Sequence, residues 1–145
     1  MFRDSKLEKI MIRPVICVNE EDSFDLVEKK LRGKIRHLPV VDSKGRVVGL
    51  FSQRDLFRIV SPHRTEEGGY VYDPAMLYDF ILKRQMTPEP FTLTPEDPVS
   101  RALDAMIRNR YGCIPITDEK KVLLGIVTTE DILKWALAQL QPAKT

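Results

Sequence analysis

Two short segments carry side chains able to do chemistry at matched positions: Ser52-Gln53-Arg54-Asp55 and Thr128-Thr129-Glu130-Asp131. Each sets a hydroxyl three residues ahead of a carboxylate, where an apolar run gives way to a helical pattern. One reading is structural: hydroxyl and carboxylate cap the start of a helix reciprocally, satisfying N–H groups that have no partner within it. The other is recognition. A carboxylate is a planar two-oxygen acceptor for paired hydroxyl donors, and the free N–H groups of a helix start favour a nearby anion. One set of side chains can do both.

The segments recur because the chain is duplicated. KIRHLPVVDSKGRVVGLFSQRDLF (34–57) aligns without a gap to RYGCIPITDEKKVLLGIVTTEDIL (110–133) at an offset of 76, sharing Pro39/Pro115, Asp42/Asp118, Gly49/Gly125 and Asp55/Asp131. Upstream, an offset of 75 pairs Leu7/Leu82, Met11/Met86, Glu21/Glu96 and Asp22/Asp97, so one residue was gained or lost between Leu31 and Ile35. Repeated supersecondary units usually stack and form sites where they meet. The division this predicts is a first repeat over 5–60, a connector over 61–73 and a second repeat over 74–140.

Each repeat follows one order, β-α-β-β-α. A short extended segment (15–18; 91–93) leads through a polar break to a helix carrying Phe24, Val27 and Leu31, or Val99, Ala102 and Met106, at helical spacing. Asp22 and Asp97 are placed as N-caps, with Pro98 in the first turn. Two strands follow, 37–41 and 46–51 in the first copy, around the turn Asp42-Ser43-Lys44-Gly45. The second turn, Asp118-Glu119-Lys120-Lys121, lacks the glycine and reads as type I. The closing helices are Gln53–Val60 and Thr129–Leu140, with Leu56, Ile59 and Val60, and Ile132, Leu133, Ala136, Leu137 and Leu140, facing inward. The connector reads as a plain exposed loop broken by Pro62, Gly68 and Gly69. Asp73-Pro74 opens a helix through Met76, Leu77, Phe80 and Ile81, matching Ser5–Met11, and the tail from Pro142 frays.

Composition removes several function classes. With 23 basic and 21 acidic residues the net charge is +2, too small to point to nucleic acid. The amino end, MFRDSKLEK, has no apolar core of a secretion signal, and no apolar run approaches a membrane span. Cys17 and Cys113 stand at unmatched repeat positions and form no CxxC, which fits free thiols and a cytoplasmic protein. Two histidines without a Cys/His cluster make no zinc site. No P-loop, GxGxxG or nucleophile elbow occurs, and the two aspartates, one per repeat, are not a catalytic pair; the chain is not read as an enzyme.

The Pro-containing strand, acidic turn, glycine and final Ser/Thr-x-x-Asp, in that order and twice, resemble the CBS domain, named after cystathionine β-synthase, present as a tandem pair or Bateman module. The resemblance spans about residues 5–140. It implies an α/β fold of the α+β type, two repeats packed sheet to sheet with pseudo-two-fold symmetry. It also implies two clefts that bind adenosine-containing ligands, sensing rather than transforming them.

Family residues carry over one position at a time. Asp55 and Asp131 would each take the two ribose hydroxyls, with Ser52 and Thr128 beside them. The residues before the Leu-Pro pair often face phosphates: these are Arg36 and His37 in the first repeat but Gly112 and Cys113 in the second. The main nucleotide site is therefore expected at Ser52, Asp55, Arg36, His37, Thr87 and Arg54, taking AMP, ADP or ATP. A weaker site at Thr128 and Asp131 must recruit Arg110 or Arg13, take a less charged ligand, or stay empty. Thr87 fits the family's base-contacting position and Ile12, its counterpart, does not.

The last helix, with Trp135 beside Ile132, Leu133, Ala136 and Leu137, is apolar beyond one stripe, which predicts deep burial or a homodimer interface. The resulting expectation is a regulatory module that binds adenine nucleotides and signals to a separate, unknown protein. S-adenosylmethionine sensing and a ligand-free docking module are the alternatives.

Overall fold

Apolar residues at helical spacing from Phe24 and from Val99 each bury one side of a helix, and a tight strand pair followed by a second helix completes each repeat. The computed structural model describes residues 4–60, 63–73 and 80–141. Their elements are β1 (Val18–Asn19), α1 (Phe24–Lys30), β2 (His37–Val41), β3 (Val47–Ser52), α2 (Gln53–Val60), β4 (His63–Arg64), β5 (Tyr70–Val71), α3 (Leu82–Gln85), β6 (Thr87–Pro88), α4 (Val99–Asn109), β7 (Cys113–Thr117), β8 (Leu123–Thr128) and α5 (Thr129–Leu140). The fold is mixed α/β. None of the described helices is long and apolar enough to cross a membrane.

The chain divides into two compact units by an exchange of segments. The first unit is Ile16–Pro90; the second is Met1–Val15 together with Phe91–Thr145. In the first, β1 pairs in parallel with β2, β2 antiparallel with β3, and β3 antiparallel with β6. The second unit repeats that order: Leu93 bridges Ile116 in parallel, β7 pairs with β8, and Ile12 bridges Ile126 antiparallel. Thr87-Pro88, just past α3, thus completes the sheet that holds Ser52, and Ile12 completes the sheet that holds Thr128.

The duplicated glycines explain these crossings. A Cβ on Gly49 would overlap the Met86 thioether, and one on Gly125 would come within 2.8 Å of the Met11 sulfur and 3.2 Å of the Ile12 carbonyl oxygen. The bare backbone at each glycine is the seat of the other repeat's duplicated methionine. Each unit has its own core, one around Val27, Leu38, Val40 and Phe51, the other around Leu7, Val99, Ile114 and Val127.

Several sequence expectations are corrected. The N-cap of α1 is Ser23 and that of α4 is Pro98, neither with a side-chain cap bond. Asp22 and Asp97 lie one residue earlier and turn back: Asp22 Oδ2 accepts from Asn19 N at 2.8 Å, and Asp97 Oδ2 from Thr94 N at 2.8 Å. They pin the extended segment to the helix entry. Lys121 keeps the left-handed conformation of its counterpart, φ 69° against 77° at Gly45, because a bulge follows both turns and the ladder requires it. Leu133, Leu137 and Leu140 face solvent, since only the Ile132 side of α5 meets the core. Ile81 is the extended N-cap of α3. The expected helix start at Pro74–Met76 and Leu77, and the tail from Pro142, lie outside the described residues.

The connector is not a plain loop. β4 and β5 form a hairpin whose two tyrosines reach the helices of the first unit. The Tyr72 hydroxyl donates to Glu28 Oε1 at 2.5 Å, Arg32 Nε donates to the same oxygen at 2.7 Å, and the Tyr70 ring lies 4.7 Å from that of Phe57. Glu28 is 2% exposed, so its carboxylate depends on these two donors. Burial, then the Glu28 carboxylate, push the Tyr72 phenol up to about 12. Tyr72→Phe is expected to lower stability by about 1–3 kcal/mol, because a buried carboxylate loses a donor. Urea denaturation measures this; an unchanged midpoint would show that Glu28 does not need the tyrosine. With the phenol raised in the folded state, its contribution is present below pH 10 and lost between about pH 10 and 12.

Candidate functional site

Ser52 ends β3 and Asp55 lies in the first turn of α2; Thr128 and Asp131 hold the same places on β8 and α5. Both pairs form the reciprocal cap. Asp55 Oδ2 accepts from Ser52 N at 2.8 Å and Ser52 Oγ at 2.9 Å, while Ser52 Oγ accepts from Asp55 N at 3.2 Å. The second copy reads 2.8, 2.9 and 3.3 Å. Capping therefore occupies one carboxylate oxygen in each copy. The other, Oδ1, keeps its acceptor capacity, facing Arg58 at 3.5 Å in Asp55 and no ion-pair partner among the described residues in Asp131.

The strand register brings the expected partners to the first box. His37 lies directly opposite Ser52 across the β2–β3 ladder, and Arg36 O accepts from Gln53 N at 2.9 Å, tying the residue before the strand to the helix start. Arg36 and Arg54 are exposed, and His37 is half-buried. Burial first, then the positive charges of Arg36 and Arg54, hold the His37 imidazole below its usual range, against the opposing pull of Asp55. Without a ligand His37 is thus a neutral donor at pH 7 rather than a cation. Thr87 pairs with Leu50, two residues before Ser52, so both side chains project from the same face of β3.

The second box has the same skeleton and different chemistry. Cys113 lies opposite Thr128, and Gly112 O accepts from Thr129 N at 3.1 Å. Burial pushes the Cys113 thiol up to about 12, so it carries no charge. Arg110 caps α4 in the left-handed region at φ 56° and Arg13 follows the Ile12 bridge; both are exposed, and no hydrogen bond or ion pair joins either to Thr128 or Asp131.

Sequence reasoning missed two features here. Arg58, on the outer side of α2, reaches Asp55 by its i+3 spacing, a signal visible in the sequence. Phe91 and Tyr111 stack at 5.6 Å with an interplanar angle of 18°. Their parallel and antiparallel registers, Leu93 with Ile116 and Cys113 with Thr128, put this aromatic pair at the Thr128 end of its sheet. No single-repeat pattern announces it, because Ile16 and Ile35 stand at the equivalent places.

Two units of one topology, each with a strand-end hydroxyl and a helix-start carboxylate, define a tandem-repeat α/β fold. The chain belongs to the CBS domain family, whose pattern matches residues 7–62 and 79–138. It is 28% identical to CBS domain-containing protein DDB_G0289609 of Dictyostelium discoideum over 94% of each chain. Its fold matches that of CBSX2 in complex with AMP, with a TM-score of 0.78 and 21% identity over 94% of this chain and 99% of that one. It also matches the CBS domain pair of protein MJ0100 in complex with 5′-methylthioadenosine and S-adenosyl-L-methionine, with a TM-score of 0.76 and 23% identity over 94% and 98%.

Proposed function

We propose that this chain reversibly binds an adenine nucleotide (AMP or ADP, with ATP as a further ligand) at Ser52 and Asp55. It works as a cytoplasmic homodimer that passes the bound state to a separate regulated protein. The observation that carries the reading is the gathering of Arg36, His37 and Arg54 around one cap box while the other box meets Gly112 and a neutral Cys113. Asp55 Oδ1 takes ribose hydroxyls, the basic trio takes the phosphate, and Thr87 lies on the base side. The AMP complex of CBSX2 supports that ligand class. The Phe91–Tyr111 pair and the uncharged surroundings of Asp131 favour a second reading there, an adenosyl ligand without phosphate, the class MJ0100 binds. Isothermal titration calorimetry with AMP, ADP, ATP, S-adenosylmethionine and NAD tests both readings. Saturable AMP or ADP binding is the expected result, and no heat and no thermal shift with any of the five would leave only a docking module.

Binding should also be linked to protons. The folded, ligand-free protein holds His37 below the free-histidine value, so its stability falls as pH drops through about 6.5, where the unfolded chain takes up the proton first. A phosphate beside His37 reverses this and draws a proton in. AMP affinity is expected to rise about three- to tenfold from about pH 7.5 to about 6.5, before the phosphate itself protonates near pH 6. Calorimetry in buffers of different ionisation enthalpy reads this directly. A His37→Gln variant that retains the full proton uptake would remove His37 from the phosphate position.

A further inference from the structure

The two glycine seats hold their methionines under different cover. A Cβ on Gly49 would overlap the Met86 sulfur, and one on Gly125 would come within 2.8 Å of the Met11 sulfur, so neither glycine leaves room for another atom on its side of the thioether. Met11 is 8% exposed and Met106 6%, whereas Met86 is only partly buried. Among the methionines of the described residues, Met86 is therefore the one that solvent reaches most.

What Met86 holds is a thin strand edge. Its N–H donates to Leu82 O at 2.9 Å, and the next two residues, Thr87 and Pro88, are all of β6, paired with Leu50 and Gly49. Glu89 then donates its N–H to Val48 O at 3.1 Å from the left-handed region, φ 44°, a conformation that costs any residue with a side chain. Thr87, Pro88 and Glu89 are all exposed. In a strand this short, with a strained residue at its end, the Met86 side chain is the apolar anchor that keeps Thr87 opposite Leu50. A thioether suits that post because it is flexible and unbranched.

We propose that Met86 is an oxidation site, at which a hydroperoxide weakens the Ser52/Asp55 nucleotide site of the same unit. The sulfur lone pair takes the terminal oxygen of the peroxide. An S–O bond forms, the O–O bond breaks, and the hydroxyl proton leaves with the departing oxygen as water or an alcohol. The thioether loses two electrons and the peroxide gains them. The product is a polar, chiral sulfoxide. Its oxygen finds no space on the glycine side and is drawn to water, so the side chain leaves its seat and β6 loosens from β3. Met11, buried over Gly125, is protected from the same reagent. The effect on AMP rests on the nucleotide reading above; the oxidation and the loosening do not.

The test treats wild type and Met86→Leu with hydrogen peroxide. Leucine is close to methionine in volume, and the variant keeps every other methionine; circular dichroism checks that it stays folded. Peptide mass spectrometry is expected to find the added oxygen at Met86 before Met11 and Met106. In treated wild type the Thr87 and Glu89 amides should exchange faster. AMP should bind about three- to tenfold more weakly, the equivalent of losing about one hydrogen bond. Neither change should occur in treated Met86→Leu. Oxidation of Met11 first, an oxidised Met86 with unchanged amide exchange, or equal losses in Met86→Leu would each overturn the inference. Faster exchange with AMP affinity unmoved would overturn the link to the nucleotide site. An untreated wild type that does not bind AMP would overturn the nucleotide reading instead, while mass and exchange still decide whether Met86 is the oxidised anchor.

Discussion

Asp55→Ala is expected to weaken AMP and ADP binding by about a hundredfold or more, while Asp131→Ala leaves it within about twofold, although both substitutions cost the fold the same. The two cap boxes agree to 0.1 Å in all three hydrogen bonds, so each loses about 1 kcal/mol of capping. Arg58, 71% exposed at the side chain, adds at most a few tenths for Asp55. What differs is the surroundings. Oδ1 of Asp55 can accept two hydroxyl donors, and hydrogen bonds to a charged group contribute about 1.5–3 kcal/mol each. Losing two gives about 3–6 kcal/mol, from which loss of a negative charge near the phosphate subtracts a little. Calorimetry and thermal denaturation on the matched pair separate the roles, because stability reports the cap and affinity reports the site. Equal loss of AMP binding in both variants would mean that the basic trio does not select the first box. Loss in Asp131→Ala alone would reverse the assignment.

How far the sequence could be read depends on whether the relevant forces are local. The duplicated Pro, Asp, Gly and Ser/Thr-x-x-Asp positions located both strand pairs and both closing helices, because strand alternation, turn chemistry and capping act within a few residues. The same locality made Ser52 with Asp55, and Thr128 with Asp131, visible as boxes. What lay beyond reach was decided by tertiary neighbours. Leu133, Leu137 and Leu140 look like core in a helix taken alone, but only the side bearing Ile132 meets the second unit's interior. The connector's one β-forming run, Tyr70-Val71-Tyr72 after Gly68-Gly69, is short, and its anchoring on Glu28 and Phe57 from helices earlier in the chain has no local signature. The sequence places His37 next to Arg36, but the burial that, with that neighbouring charge, holds its imidazole below the usual range comes from the fold. The left-handed Lys121 was hidden because glycine, the usual marker, is absent where the bulge still demands that conformation.

Leu7→Ala is expected to loosen the far end of the chain rather than its own neighbours. Leu7 is fully buried in the core of the second unit, beside Val99, Ile114 and Val127, more than eighty residues away. The segment around it is tied there by Leu7 N to Asp97 O at 2.9 Å, Val99 N to Ser5 O at 2.7 Å and the Ile12–Ile126 bridge. Emptying a buried leucine site costs about 2–5 kcal/mol, a large part of a domain's usual 5–15. Amide exchange should therefore accelerate by about thirtyfold to several thousandfold in α4, β7, β8 and α5, while α1, β2 and β3 hold their protection. Leu82, 2% exposed at the equivalent position, belongs to the first unit's core, so Leu82→Ala should do the reverse. Acceleration of α1 and β2 by Leu7→Ala, with α4 and α5 unmoved, would contradict the segment exchange outright. The expected pattern would explain why Met11 and Met86 recur with Gly49 and Gly125. Each repeat then supplies the strand edge and the methionine that the other needs, and neither sequence repeat is a complete folding unit by itself.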